Sequence, residues 1–326
     1  MITDRYNRPH NYLRISLTDN CNMRCFYCMP DEDYEFTPAS KLMQANEIIA
    51  IAKTFVSLGV NKIRLTGGEP LVRKDAAEII TALGKLPVKL TLTTNGSRIH
   101  EFIDLLEQSG VHSLNISLDT LQSDKFLMIT KRNQFDLVKN NIELLLKRNF
   151  HVKINVVVMK GMNDNEINDF VAWTKQAAVH VRFIEFMPFE GNRWTSNKVF
   201  TLHEILDTVR SVYEIETLEN DLHDTSKAFK VVGHAGTFAI ISTMTEPFCS
   251  GCNRIRLTAD GKIKNCLFSK EETDLLTAFR NEQDIIPLIN QSIQNKFPAL
   301  GGQLNTDFEH LHAAEIKNRS MITIGG

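Results

Sequence analysis

Apolar and polar residues alternate through four short stretches in the first half of the chain. Leu13, Ile15 and Leu17 oppose Arg14, Ser16 and Thr18, and Ile63 and Leu65 oppose Lys62, Arg64 and Thr66. Leu90 and Leu92 oppose Lys89, Thr91, Thr93 and Asn95, and Leu114, Ile116 and Leu118 oppose Asn115, Ser117 and Asp119. A period of two marks a strand, because successive side chains point to opposite faces. Together with two further runs, the pattern predicts strands at 12–17, 61–66, 88–93, 112–118, 152–158 and 181–186. Helical spacing fills the gaps at 46–58, 74–84, 99–109, 135–149 and 165–178. Strands alternating with helices imply parallel pairing through right-handed crossovers. Six such units fall short of a closed eight-stranded barrel, so an open or partial barrel is expected.

A parallel sheet covered by helices normally buries both faces and reads as nearly continuous apolar sequence. Here one face of each strand is polar or charged. An antiparallel sheet with one wet face would also give this pattern, but the intervening helices argue against it. The expected arrangement is a barrel whose lumen holds a polar, anionic ligand.

The pattern changes after about residue 195. Shorter strands are expected at 226–233, 237–242, 253–258 and 261–264, with a tight turn at Asp260-Gly261, and helices at 271–280 and 283–294. From Gly301 to Gly326 the chain is polar with little periodicity and reads as a tail that wraps or stays mobile. No low-complexity linker intervenes. The organisation expected is a barrel over 1–195 and a smaller α+β region over 196–326, packed closely together.

Composition narrows the chemistry. The 326 residues carry a formal net charge of −2, so no overall basic field favours nucleic acid. Any anion must be held by locally gathered Arg and Lys. No apolar run approaches the ~18 residues of a membrane span, and Met1 to His10 lacks the apolar core of a signal peptide. A cytoplasmic protein is expected. In that reducing compartment, spaced cysteines point to metal or redox chemistry.

All six cysteines fall into two trios. Cys21, Cys25 and Cys28 directly follow the first strand, where a parallel barrel places its functional loops. Three thiolates on one loop can each hold one iron of a cubane and leave the fourth iron open. Cys249, Cys252 and Cys266 form the second trio. Zinc remains the alternative for each, although it usually wants four ligands. Arg254 and Arg256 share one strand face beside the second trio, and a guanidinium fork suits phosphate. Gly67-Gly68-Glu69-Pro70 follows the second strand, where paired glycines let backbone approach a ligand.

The first cysteine loop resembles that of the radical S-adenosylmethionine (SAM) superfamily. From Tyr12 to Gly326 the chain resembles the GTP 3′,8-cyclases that open molybdenum cofactor biosynthesis. The most specific marks are the two trios, Arg254-Ile255-Arg256 and the terminal Gly325-Gly326. The segments Lys62 to Pro70 and Arg182 to Met187 also match. The resemblance implies a partial (βα)6 TIM-like radical SAM barrel with a smaller C-terminal α+β region and two 4Fe–4S clusters. Cys21, Cys25 and Cys28 would bind the cluster that splits SAM, with Tyr27, Gly68, Glu69, Ser117 and Met187 contacting SAM. Cys249, Cys252 and Cys266 would hold the second cluster, whose open iron meets guanine. Arg14, Arg64, Thr93, Lys160, Arg254 and Arg256 would contact GTP, and Lys62 and Arg182 would add positive charge. Gly325 and Gly326 would reach into the site and assist the radical chemistry.

The implied reaction removes hydrogen from ribose C3′ of GTP, joins C3′ to C8 of the same guanine, and yields a 3′,8-cyclo-7,8-dihydro-GTP. A following enzyme that forms the pyranopterin and a homodimeric state are implied as well. The electron donor is not. One departure stands out: Asn20 precedes Cys21 where the family commonly has Arg. Two rival readings are a radical SAM enzyme that modifies peptides with an auxiliary cluster, and a zinc-binding interaction module.

Overall fold

The computed structural model describes residues 1–29, 34–304, 307–311 and 313–325. The strands are β1 Tyr12–Ser16, β2 Lys62–Thr66, β3 Lys89–Thr94, β4 Ser113–Ser117, β5 His151–Val158, β6 His180–Glu185, β7 Ile215–Thr217, β8 Lys227–Val231, β9 Thr237–Ile241, β10 Arg254–Leu257, β11 Lys262–Lys264 and β12 Thr273–Asp274. The helices are α1 Ala45–Ser57, α2 Ala76–Gly84, α3 Ile99–Gln108, α4 Ser123–Thr130, α5 Phe135–Lys147, α6 Ile167–Trp173, α7 Leu202–Arg210, α8 Leu275–Arg280, α9 Ile286–Gln294 and α10 Met321–Ile324.

One open sheet contains every strand, in the order β12-β11-β10-β1-β2-β3-β4-β5-β6-β9-β8-β7. The six expected strands form its middle in parallel, but six undercounts the parallel set. β10 joins β1 and β9 joins β6, both in parallel. Sequence patterning conceals this because β10 and β9 each lie next to an antiparallel partner, β11 and β8. They therefore read as hairpins of a separate region. The sheet takes strands from both sides of residue 195.

The apolar face of each central strand lies under the helices. Leu13, Ile15, Ile63, Leu92, Leu114, Ile116, Val152, Ile154, Val181 and Phe183 are all completely buried. The α1 helix shows how local chemistry fixes the layer. A capping box joins Gln44 and Glu47, and Ile48, Ile51, Ala52 and Phe55 recur on the buried side. Differences from expectation follow from length. The eight-residue α4, the three-residue β7 and the two-residue β12 are too short to show a period. The helix expected at 165–178 stops at Trp173, where the Thr174 hydroxyl turns back to the Val171 carbonyl at 2.7 Å.

The tail wraps. Arg319 reaches both Asp260 oxygens at 2.9 Å and Glu272 at 2.5 Å, which fastens it to the turn after β10. No helix among the described residues is long and apolar enough to cross a membrane.

Candidate active site

The first cysteine loop leaves the C-terminal end of β1 and is held from two sides. Gly68 N–H donates to the Thr18 carbonyl at 2.7 Å and Glu69 N–H to the Asn20 carbonyl at 2.8 Å. A Cβ on Gly68 would stand 2.4 Å from the Asn20 oxygen, so this approach requires glycine. Asn20 thus contributes its backbone, and its residue is exposed. On the other side, Arg24 and Phe26 N–H groups bond the Thr130 and Ile129 carbonyls of α4 at 2.8 and 3.1 Å.

Cys21 Sγ accepts bonds from Met23 N–H at 3.4 Å and Asn95 Nδ2 at 3.8 Å. Burial, with Glu69 nearby, pushes the Cys21 thiol up to about 11. Burial, with Cys21 and Asp119 nearby, pushes Cys28 to about 12. Burial, then Asp119 and the neighbouring thiols, raises Cys25 as well. Three thiols in such surroundings ionise only if something cationic joins them, which is what iron supplies. Three thiols on one short loop suit a cluster that takes one thiol per iron.

Around this loop stand the residues expected to contact SAM. The Tyr27 hydroxyl donates to Asp119 Oδ2 at 2.6 Å, and Tyr27 and Met187 pack on one apolar cluster with Phe186 and Trp194. Ser117 ends β4 in register with Asn155. Glu69 is also held by the protein's own groups. It is completely buried, and its oxygens accept bonds from Leu71 N–H at 3.1 Å, the Thr94 hydroxyl at 2.8 Å and Asn95 N–H at 2.6 Å. Burial lifts its carboxyl to about 7 against those bonds. The geometry makes Glu69 a brace for the Gly68 turn and for Asn95, which in turn touches Cys21.

The polar strand faces line the lumen. Arg256, Arg14 and Arg64 stand side by side on β10, β1 and β2 at one register level. Arg64 also reaches the Thr93 hydroxyl at 3.4 Å and the Tyr12 hydroxyl. Arg182 on β6 is braced by Asn155. Burial, with crowding by like charge, lowers Arg182 to about 9, Arg256 to about 10, and Arg14 in the same direction. Such a cluster is relieved by a polyanion.

Lys160 is not brought into this group. It lies past the end of β5 with its side chain 51% exposed, ion-paired to Glu204 at 2.7 Å. Lys153 occupies the lumen face of β5 instead, where burial and then Arg182, Arg64 and Lys62 lower it to about 8. The strand's own alternation carried the signal: Val152, Ile154, Val156 and Val158 are buried, while Lys153, Asn155 and Val157 face the other way. Tyr12 and Asp224 also escaped sequence reading. Tyr12 is raised by burial but drawn down to about 7 by Arg64, Arg14 and Lys62. Asp224, between β7 and β8, acts electrostatically on Lys62, Lys153 and Arg182.

The second trio sits at the opposite end of the same strands. Cys249 and Cys252 precede β10, which runs parallel to β1, so they lie at its N-terminal end, and the first trio lies beyond the C-terminal end of β1. The five residues of β1 span roughly 16 Å at ~3.3 Å each. Arg14 and Arg256 lie along that span. Burial raises the Cys252 thiol, but Arg254 and Lys296 outweigh it and hold it at about 6. Leu300 N–H donates to Cys249 Sγ at 3.4 Å. Three sulfurs with N–H donors and cations around them again suit a cluster. The tail then enters from above. Arg256 Nη1 donates to the Gly325 carbonyl at 2.7 Å. Gly325, at φ 81°, packs so closely over Ser16 and Thr66 that a Cβ would stand 2.9 Å from Ser16 Cβ. Gly326 lies outside the described residues.

This geometry agrees with the comparisons to known proteins. The family model of the radical SAM superfamily matches residues 15–174, and that of Molybdenum Cofactor Synthesis C matches 179–300. "Molybdenum cofactor biosynthesis protein 1" of Dictyostelium discoideum is 46% identical over all of this chain and 52% of its own length, so the chain spans about half of that relative. "GTP 3′,8-cyclase, mitochondrial" of Arabidopsis thaliana is 44% identical over all of this chain and 84% of its own. The crystal structure of Streptococcus suis SuiB bound to S-adenosylmethionine shares the fold, with a TM-score of 0.59 over 94% of this chain and 72% of that one at 17% identity. With both domain models in sequence and identity above 40% along its whole length, the chain belongs to the GTP 3′,8-cyclase family of the radical SAM superfamily.

Proposed function

We propose that the protein converts GTP to 3′,8-cyclo-7,8-dihydro-GTP, the first step of molybdenum cofactor biosynthesis. The observation that carries this reading is the row Arg256-Arg14-Arg64, set between two cysteine trios at opposite ends of one lumen. Cys21, Cys25 and Cys28 would hold the first 4Fe–4S cluster, and Cys249, Cys252 and Cys266 the second. Bound there, the first cluster with SAM supplies one-electron chemistry able to take hydrogen from an unactivated carbon.

The chain's own residues bind, orient and shield. Tyr27, Gly68, Glu69, Ser117 and Met187 would contact SAM, with Glu69 also bracing the turn. Arg14, Arg64, Arg254, Arg256, Thr93 and Lys153 hold the nucleotide, and their charge matches a triphosphate. Fixing both reactants converts a bimolecular encounter into a positioned one. Gly325 covers the upper end of the lumen near Ser16, and with Gly326 would assist the reaction there. The reading extends to a cytoplasmic homodimer that receives electrons from an external donor and passes its product to a pyranopterin-forming enzyme.

Nucleotide titration of anaerobically reconstituted protein tests the GTP assignment. Lys153 is cationic below its value of about 8 and loses its charge above it, while bound triphosphate favours the charged form. GTP affinity is therefore expected to fall as pH rises from 8 to 10, and Lys153→Met is expected to bind more weakly but with a flatter dependence over that range. Equal pH slopes for both proteins would remove Lys153 from the nucleotide site. A protein that binds peptide and ignores GTP would remove the assignment itself.

A further inference from the structure

Lys296 is a cation for which neither the SAM site nor the GTP site has a use. It follows α9 and is only 2% exposed, although lysine is almost never fully buried unless paired. Its Nζ lies 3.3 Å from Cys252 Sγ and 3.1 Å from the Arg254 carbonyl oxygen. The negative groups acting on it are the sulfurs of Cys252 and Cys266, while Arg254 opposes it with like charge. Its counter-charge is thus the second cysteine trio.

The segment that carries it is fixed. Leu300 N–H caps Cys249 Sγ, and Arg8 clamps the stretch between them. Arg8 donates to the Phe297, Pro298 and Cys249 carbonyls at 2.9, 2.6 and 2.8 Å, and is held in turn by Asp4 at 2.7 Å. Lys296 therefore does not flex toward Cys252 by chance. A buried clamp at the N-terminus holds it there.

Net charge and hydrogen bonds to the sulfurs set the reduction potential of an iron–sulfur cluster. One-electron reduction adds negative charge without making or breaking a bond, and a fixed ammonium 3.3 Å from a ligand sulfur favours that added charge. The same bond draws electron density from the Cys252 thiolate, which leaves the cluster's open iron a better acceptor. We propose that Lys296 is a positioning and tuning residue for the second cluster, raising its reduction potential and strengthening its grip on a donor atom of the substrate. This inference rests on the two-cluster reading.

The test is an EPR-monitored titration with dithionite. The full chain carries Cys21→Ala, Cys25→Ala and Cys28→Ala, so that the signal comes from the second cluster alone. Lys296→Met is expected to shift the midpoint downward by about a tenfold change in the reduced-to-oxidised ratio, about 59 mV for one electron. Lys296→Arg, which keeps the charge, is expected to stay near the parent. Equal midpoints in Lys296→Met and parent at equal iron content would overturn the proposal. Should Lys296→Met fail to take up iron, Lys296→Gln compared with Lys296→Arg decides on the same criterion. A triple cysteine variant that binds no iron at all would overturn the two-cluster reading instead.

Discussion

Arg256→Ala is expected to weaken GTP binding by roughly a hundredfold and leave SAM binding unchanged. Arg256 is 8% exposed, stands level with Arg14, and donates to the Gly325 carbonyl. Hydrogen bonds to charged groups contribute about 1.5–3 kcal/mol each. Losing the fork to a phosphate removes about two of them, or about 3 kcal/mol, which is about a hundredfold in Kd. The same substitution relieves repulsion in the free protein, since Arg256 lies against Arg14 and Arg254. Thermal stability without nucleotide is therefore expected to hold or rise while affinity falls. Arg256→Lys keeps the charge but not the planar fork, and should recover only part of the affinity. Calorimetry of both ligands with each variant measures all of this. A parallel loss of SAM affinity would show that the arginine row does not belong to the nucleotide.

Gly325→Ala is expected to cut cyclised product by about a hundredfold while both ligands still bind. Its φ of 81° already disfavours any side chain, and the new methyl would meet Ser16 Cβ at 2.9 Å and Thr66 Cγ2 at 3.1 Å. Left-handed backbone costs a non-glycine residue about 1–2 kcal/mol. With the contacts added, displacement of the tail becomes the cheaper outcome. A transition-state loss of about 3 kcal/mol corresponds to roughly a hundredfold in rate. The informative readout is product formed per 5′-deoxyadenosine released, because SAM cleavage should persist. Unchanged coupling between the two would mean that the tail has no part in the reaction.

The sequence disclosed whatever depended on a local period or a local spacing. The strands β1 to β4 each carry an apolar and a polar face, so both the barrel and its charged lumen were legible. The cysteine trios were legible from spacing and from their place after or before a strand. Contacts made by distant partners were not. Pairing of β10 with β1 joins residues some 240 positions apart, and no local pattern announces it. The tail's route depends on Arg319 meeting Asp260 and Glu272 across the fold. The bracing of Glu69 by Thr94 and Asn95 at another strand end is likewise invisible from its place after β2. Lys160 and Lys153 show the finer limit. The alternation of β5 turns Lys153 toward the lumen, while Lys160 lies past the end of that strand, where its pairing with Glu204 depends on a residue 44 positions away.

The most direct measurement uses GTP carrying deuterium at ribose C3′. Reconstituted protein is incubated anaerobically with SAM, the labelled GTP and a strong reductant, and the 5′-deoxyadenosine is analysed by mass. Placement of both reactants in one lumen requires the label to arrive in 5′-deoxyadenosine, together with a cyclised dihydro-GTP. Cleavage of SAM with no deuterium transferred would contradict it.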